Sequence, residues 1–497
     1  MPAAAPTVGM KGAFLEALRM KSGLVGFGIL ASLLAVTVIT PLFAPYDVVR
    51  QWSNVDYWQD NPRWAAPEWV HYFTGRKEPT NTFFDPSTFR YIVTRTSTVL
   101  PDGSTFNLTT IEASKRFSWD FDDFPSELTS YITASFPGDT ANGTGQSPLL
   151  EISWIRPDQQ VVSLVTRSIP GREHNVTTTY HFSSSTGAAQ SVIRNIQNWV
   201  VREGVIPEPI VNNASVRPHV ALFAKNDSAQ LDPARSAHLL RGDYQLLLRY
   251  TGFGLNDTMS VGLKIYGTVF GLAGTDDQRR DLMTGLLWGA PVALAFGVVA
   301  AVVVVLIQTV LGAISGWYGG AIDETIQRSA DIFLIIPILP ILIIIQLVFH
   351  RPGILAILFV VVAFGIVGST TKVVRSIVLQ IREEQFVEAA QSYGASRLRI
   401  LFRYIMPRVM PYVFALVALS VPAFIFLEAS LSFLGLGDPT LPTWGATLGN
   451  AYNGSALYYG YWWWVAFPTL GIVYTAIGFA LLGYAFDKVI NPRLREE

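Results

Sequence analysis

Residues 383–411 read EEQFVEAAQSYGASRLRILFRYIMPRVMP, a charged island between two long apolar segments. Residues 386–392 suit about two helical turns, with Glu388 and Gln391 turned to water and Val387 free to pack. Gly394 ends that helix, because a residue without a Cβ takes positive φ cheaply. Ala389 and Ala390 leave one side of it bare enough for another protein to approach closely. On these residues alone, an amphipathic connector along the membrane surface stands ahead of a docking element. The rest of the chain reverses that order.

The chain has 497 residues, 50% of them hydrophobic and 15% charged, where soluble domains carry roughly 25% charged residues. This is the composition of a membrane protein. A net charge of −1 gives no sign of nucleic acid. With no cysteine, disulfides, thiol nucleophiles and cysteine-bound metals are excluded, and no other metal-ligand spacing occurs.

In chain order, residues 1–23 are basic and predict a cytoplasmic N-terminus. Residues 24–45 hold an apolar run of the length that crosses a bilayer, a secretory signal being the competing reading. Residues 46–270 change character: short runs at 91–94, 150–155, 161–166 and 244–250, separated by Pro, Gly and Asn, predict strands. Val192, Ile193, Ile196, Trp199 and Val200 recur with helical spacing over 188–202. One crossing after a cytoplasmic start puts this β-rich α+β insert outside. Asn-x-Ser/Thr sequons at Asn107, Asn142, Asn175, Asn213, Asn226 and Asn256, with Asn453 in a later exterior loop, agree with that side. Sequons without cysteine suit an archaeal surface.

Residues 271–490 return to apolar character and predict five more crossings, at 291–315, 332–349, 354–368, 412–427 and 465–486. The expected architecture is therefore an all-α polytopic protein of six transmembrane helices with the insert between the first and second. Pro337 and Pro340 fall inside the third crossing, as structural kinks or as pathway lining. The loop 370–411 carries Lys372, Arg375, Arg382, Arg397, Arg399, Arg403 and Arg408, which places it in the cytoplasm, as is the tail 491–497. Its arginines also suit membrane lipid headgroups.

Glu388-Ala389-Ala390, Gly394 and the later Ile405-Met406-Pro407 resemble the EAA loop of ABC importer permeases. Two further stretches resemble the dipeptide, oligopeptide and nickel permeases: Gly274-Thr275-Asp276 through Arg280-Asp281, with Arg279 where the family has Gly, and EASLSFLGLG at 428–437 followed by Pro442-Thr-Trp-Gly445. Arg280 and Asp281 are adjacent and suit a local ion pair; Glu428 either pairs locally or faces the path. The resemblance implies the type I permease fold, coupling to ATPase subunits through Glu388, Ala389, Ala390, Gly394, Ile405 and Pro407, and a translocation path for peptides or oligosaccharides. It implies as partners a second permease, two ATPase subunits carrying ATP and Mg, and an exterior substrate-binding protein. The chain itself has no GxxxxGK[ST] to cradle phosphates and no catalytic constellation, so it is expected to be a transporter subunit rather than an enzyme. An ion-coupled secondary transporter should show acids midway along its crossings, and a membrane-anchored surface receptor would leave five crossings unexplained.

Overall fold

A computed structural model describes residues 10–103, 105–135, 147–169, 175–181, 187–202, 217–226, 237–348 and 353–490. Asn142, Asn213 and the tail 491–497 lie outside the described residues. The chain forms two compact units, Met1–Tyr57 with Asp281–Glu497, and Trp58–Arg280. The second unit thus starts and ends later than the 46–270 read from composition. The reason is packing. Trp52 lies against Gly285 in the helical unit. At the other end Thr275 Oγ1 donates to Pro62 O (2.7 Å) and accepts from Ala65 N (2.9 Å), which ties 271–280 into the β unit.

The helical unit opens with α1 (Met10–Arg19) and α2 (Lys21–Phe43). Among the described residues the β unit follows with nine antiparallel strands: β1 (Thr82–Phe84), β2 (Arg90–Val99), β3 (Thr105–Trp119), β4 (Glu127–Ser135), β5 (Leu149–Ile155), β6 (Val161–Ser168), β7 (Asn175–His181), β8 (Gly242–Gly252) and β9 (Thr258–Tyr266). They make two sheets, ordered β1-β9-β4-β7 and β2-β3-β8-β5-β6. Alternate residues of both sheets enter one core: Ile111, Ala113 and Phe117 of β3, Ile152 and Trp154 of β5, and Leu246, Leu248 and Tyr250 of β8, with Leu128 and Ile132 of β4 and Val261 and Leu263 of β9. That period of two is what makes each sheet one-sided. Helix α3 (Gly187–Arg202) buries Val192, Ile196, Trp199 and Val200 in the same core, and Asn195 Nδ2 holds it to Leu164 O of β6 (3.0 Å).

The short α4 (Pro218–Phe223) carries His219, whose Nδ1 has no hydrogen-bond partner among the described residues. Burial, with the neighbouring Arg217 second, pushes its imidazole down to about 4. The ring is neutral in the fold and ordinarily titrates near 6.5. The stability it contributes is complete above pH 6.5 and lost as pH falls through 4, about 3 kcal/mol in all. Protease resistance of this unit in the intact protein should therefore drop between pH 7 and 4.5, and His219→Gln should flatten that drop; equal acid sensitivity in the variant would rule the histidine out.

The chain then returns to the helical unit with α5 (Leu282–Tyr318), α6 (Gly320–Ile335), α7 (Ile338–Val348), α8 (Ile354–Phe364), α9 (Ser369–Arg382), α10 (Gln385–Ser392), α11 (Arg397–Ile400), a π turn (Leu401–Ile405), α12 (Met406–Phe433), α13 (Trp444–Asn453) and α14 (Trp462–Ile490). Among the described residues, four stretches are long and apolar enough to cross a membrane: Lys21–Phe43, Leu282–Tyr318, Arg397–Phe433 and Trp462–Val489. The count is six if each of two bent pairs is one span: α6 with Ile338–Ile345 of α7, bent by 75°, and α8 with α9, bent by 44°.

The third crossing, expected as one kinked helix over 332–349, is instead two helices. Pro337 lies in their break, where its ring restricts the preceding residue to extended backbone. Pro340 sits in the first turn of α7, where a missing N–H costs no hydrogen bond. The segment before it, expected as a connector, is helical from Gly320.

Candidate functional site

Helix α10 stands at the centre of the charged island. Its end is a full Schellman motif: Gly394 N–H donates to Gln391 O (2.9 Å) and Ala395 N–H to Ala390 O (3.0 Å). Gly394 takes φ +78°, and nothing stands within 4 Å of the position a Cβ would occupy. Val387 and Ala390 are buried, Glu388 and Ala389 exposed. The expected pair of alanines on one bare side is thus corrected. Consecutive helical residues point about 100° apart, so Ala389 faces out and Ala390 packs inward.

The inward face joins a core built by four other elements: Trp317 of α5, Val374, Val378 and Ile381 of α9, Ile400, Leu401 and Ile405 at the π turn, and Val409 and Val413 of α12. Two contacts fix its frame. Gly312 and Gly316 of α5 meet the backbone of α9, where an added Cβ would lie 2.5 Å from Thr371 O and 2.9 Å from Arg375 O. Arg375 also grips Asp323 of α6 with both arms of its guanidinium (2.6 and 2.5 Å), and Lys372 pairs with Asp331 on the same two helices. At the start of α10, Arg408 of α12 donates to Glu384 (2.8 Å) and lies 3.6 Å over the ring of Phe386. Pro407 is exposed on the first turn of α12. The wider π turn just before it makes room for the proline ring against the preceding turn.

The remaining residues singled out from sequence fall elsewhere. Asp276, in the β unit, accepts from Gln278 N (2.9 Å), Arg280 N (2.8 Å) and Arg280 Nε (2.5 Å). Burial still pushes its carboxyl up, to about 6, against the pull of Arg280. Arg280 therefore pairs with Asp276 and not with Asp281. Asp281 caps α5 instead, accepting from Met283 N (2.9 Å), because its side chain turns toward the unpaired amides of the helix start.

Arg279 holds φ +66°, so the turn that glycine makes in the resembling motif is kept by an arginine. Its guanidinium is buried against Glu127, donates to Asn61 O (2.5 Å) and lies 4.4 Å from the Tyr266 ring centre. Glu428 is buried in the helical unit and accepts from Ser432 Oγ (2.6 Å), a local pairing. Trp444 wedges between Gly289 of α5 and Gly471 of α14, and its Nε1 donates to Leu286 O (3.0 Å). Asn226 and Asn256 are exposed, Asn107 accepts from Ser97 Oγ (2.5 Å) on the neighbouring strand, Asn453 is exposed at the end of α13, and Asn175 begins β7.

Residues 308–496 match the family described as binding-protein-dependent transport system inner membrane component. The chain is 37% identical over 226 residues to the oligopeptide transport system permease protein of Bacillus subtilis, covering 45% of this chain and 72% of that one. The chain belongs to this family. It is also 34% identical over 223 residues to the dipeptide transport system permease protein of B. subtilis, covering 45% of this chain and 68% of that one. With the glutathione transport system permease protein of Pectobacterium atrosepticum it shares 32% identity over 223 residues, 45% of this chain and 72% of the relative.

The protein is thus a multi-pass membrane permease subunit of an ABC importer, and the α10 region is the loop whose sequence resembles the EAA loop. Three features of that loop were not foreseen. The small-residue spacing Gly312…Gly316 did signal close helix packing. The Arg375–Asp323 pair and the π turn left no local mark.

Proposed function

We propose that this permease forms half of the translocation path of an ATP-driven peptide importer. The observation that carries the reading is α10: a short helix with Glu388 and Ala389 bare on one side and a core shared with α5, α9 and α12 on the other. Such a helix can take a push on its outer face and pass it to the membrane helices as one body. Partner ATPase subunits with ATP and Mg supply the push, a second permease completes the path, and an exterior binding protein delivers cargo. Peptides stand ahead of oligosaccharides because the relatives are named for oligopeptide, dipeptide and glutathione transport.

In this reading each bent pair is one span, giving six, with both termini and the loop 370–411 in the cytoplasm. The β unit lies outside, where Asn226, Asn256 and Asn453 are the sequons best exposed to a glycan and where it docks the binding protein or caps the entrance.

Purifying the protein with its neighbours tests this. An associated ATPase whose turnover rises with peptide supports it, whereas a chain isolated alone that drives uptake with an ion gradient refutes it. At finer scale, Gly394→Val forces a β-branched residue into the left-handed region at a cost of about 1–2 kcal/mol. That exceeds what a two-turn helix holds in reserve, so uptake should fall several-fold while membrane insertion persists. Unchanged uptake would remove the lever.

A further inference from the structure

The outer face of α11 and the π turn is a basic surface that packing leaves unused. Arg397, Arg399 and Arg403 are exposed and make no ion pair or side-chain hydrogen bond among the described residues. No acid occurs between Glu388 and Glu428. Beside the arginines stand three exposed apolar or aromatic side chains: Leu398 at 59%, Phe402 at 51% and Tyr404 at 40% exposure. Ile400, Leu401 and Ile405 are buried behind them. The exposed side therefore carries two columns four residues apart, Leu398 with Phe402 and Arg399 with Arg403.

Length places this surface. The stretch Arg397–Phe433 has 37 residues, about 55 Å of helix at 1.5 Å per residue, whereas a hydrocarbon core of about 30 Å needs only about 20 residues. From Val409 onward the helix is uncharged as far as Glu428, so that part takes the core. Residues 397–408 then stand in the headgroup layer, where aromatic rings lie at the boundary of the chains and arginines meet phosphate.

We infer that Arg397, Arg399 and Arg403, with Leu398 and Phe402, form a binding surface for anionic lipid, phosphate on the guanidinium column and acyl chain on the apolar one. Occupied, it anchors the N-terminal end of a membrane helix that shares its core with α10, and so holds the coupling loop at a fixed depth. An arginine fork suits a headgroup phosphate better than a choline headgroup whose own cation cancels the charge. The inference needs only a membrane-embedded chain and does not depend on which cargo is carried.

The test uses the intact protein in nanodiscs of phosphatidylcholine doped with phosphatidylglycerol, read by native mass spectrometry for retained lipid and by pull-down for the ATPase. Wild type should retain phosphatidylglycerol above its share of the mixture. The triple variant Arg397→Gln/Arg399→Gln/Arg403→Gln should lose that excess at least several-fold with ATPase association unchanged, and Arg328→Gln on α6 should behave as wild type. Retention equal to wild type would overturn the inference. So would a triple variant that keeps its lipid but sheds the ATPase, which would assign the surface to the protein partner. A wild-type chain that never captures an ATPase would count against the proposed importer while leaving the lipid readout intact.

Discussion

Gly312→Leu is expected to abolish uptake and to strip ATPase subunits from the purified permease. A Cβ at this position would lie 2.5 Å from Thr371 O and 3.0 Å from Val374 Cβ. The first of these contacts is with backbone, which cannot turn aside as a side chain can. Overpacking typically costs 1–3 kcal/mol even where side chains can yield, so α5 and α9 must separate. Helix α10 begins only three residues after α9 ends and shares its core, so the coupling face is displaced with them. Gly28→Leu is the matched control, since nothing lies within 4 Å of its Cβ position, and it should transport normally. Uptake in vesicles and pull-down of the ATPase decide it; a Gly312→Leu variant that keeps both would show that α10 does not depend on this packing.

Arg279→Gly, which restores the residue of the family motif, should destabilise the β unit. Glycine relieves a left-handed backbone worth about 1 kcal/mol, but it leaves Glu127 buried without its cation and Asn61 O without a donor. Breaking a buried pair from one side costs about 3–5 kcal/mol, so the loss wins. Urea-dependent proteolysis of the full chain should show its midpoint falling clearly, and adding Glu127→Gln should recover part of the loss by removing the stranded charge. A glycine variant as stable as wild type would mean the arginine is incidental.

What the sequence made legible follows from locality. The end of α10 could be read because a glycine two turns on takes the positive φ of a helix end at little cost, and Gly394 takes it. Helix α3 could be read because its apolar residues recur along one face. Strands β5, β6 and β8 lie where apolar runs marked them, whereas β3 breaks its apolar alternation with Glu112 and Arg116 on the solvent side and with Lys115, on the core-facing side, reaching over Phe84. The ion pairs were the least legible part. Adjacency suggested Arg280 with Asp281, yet a tight turn brings Arg280 onto Asp276, and Arg375 finds Asp323 from fifty-two residues away. Likewise no single proline signal separates a kink from a break, and only the 75° bend at Pro337 shows which occurred.

The most direct test of the coupling role exploits the absence of cysteine in the chain. Ala389→Cys places a unique thiol on the exposed face of α10, and Asn256→Cys places one on an exposed turn of the β unit. Cross-linking in membranes containing the partner subunits should join Ala389→Cys to the ATPase, with a yield that changes when ATP is added, and should leave Asn256→Cys unjoined to it. An ATPase that cross-links to neither, or to Asn256→Cys alone, would contradict the account.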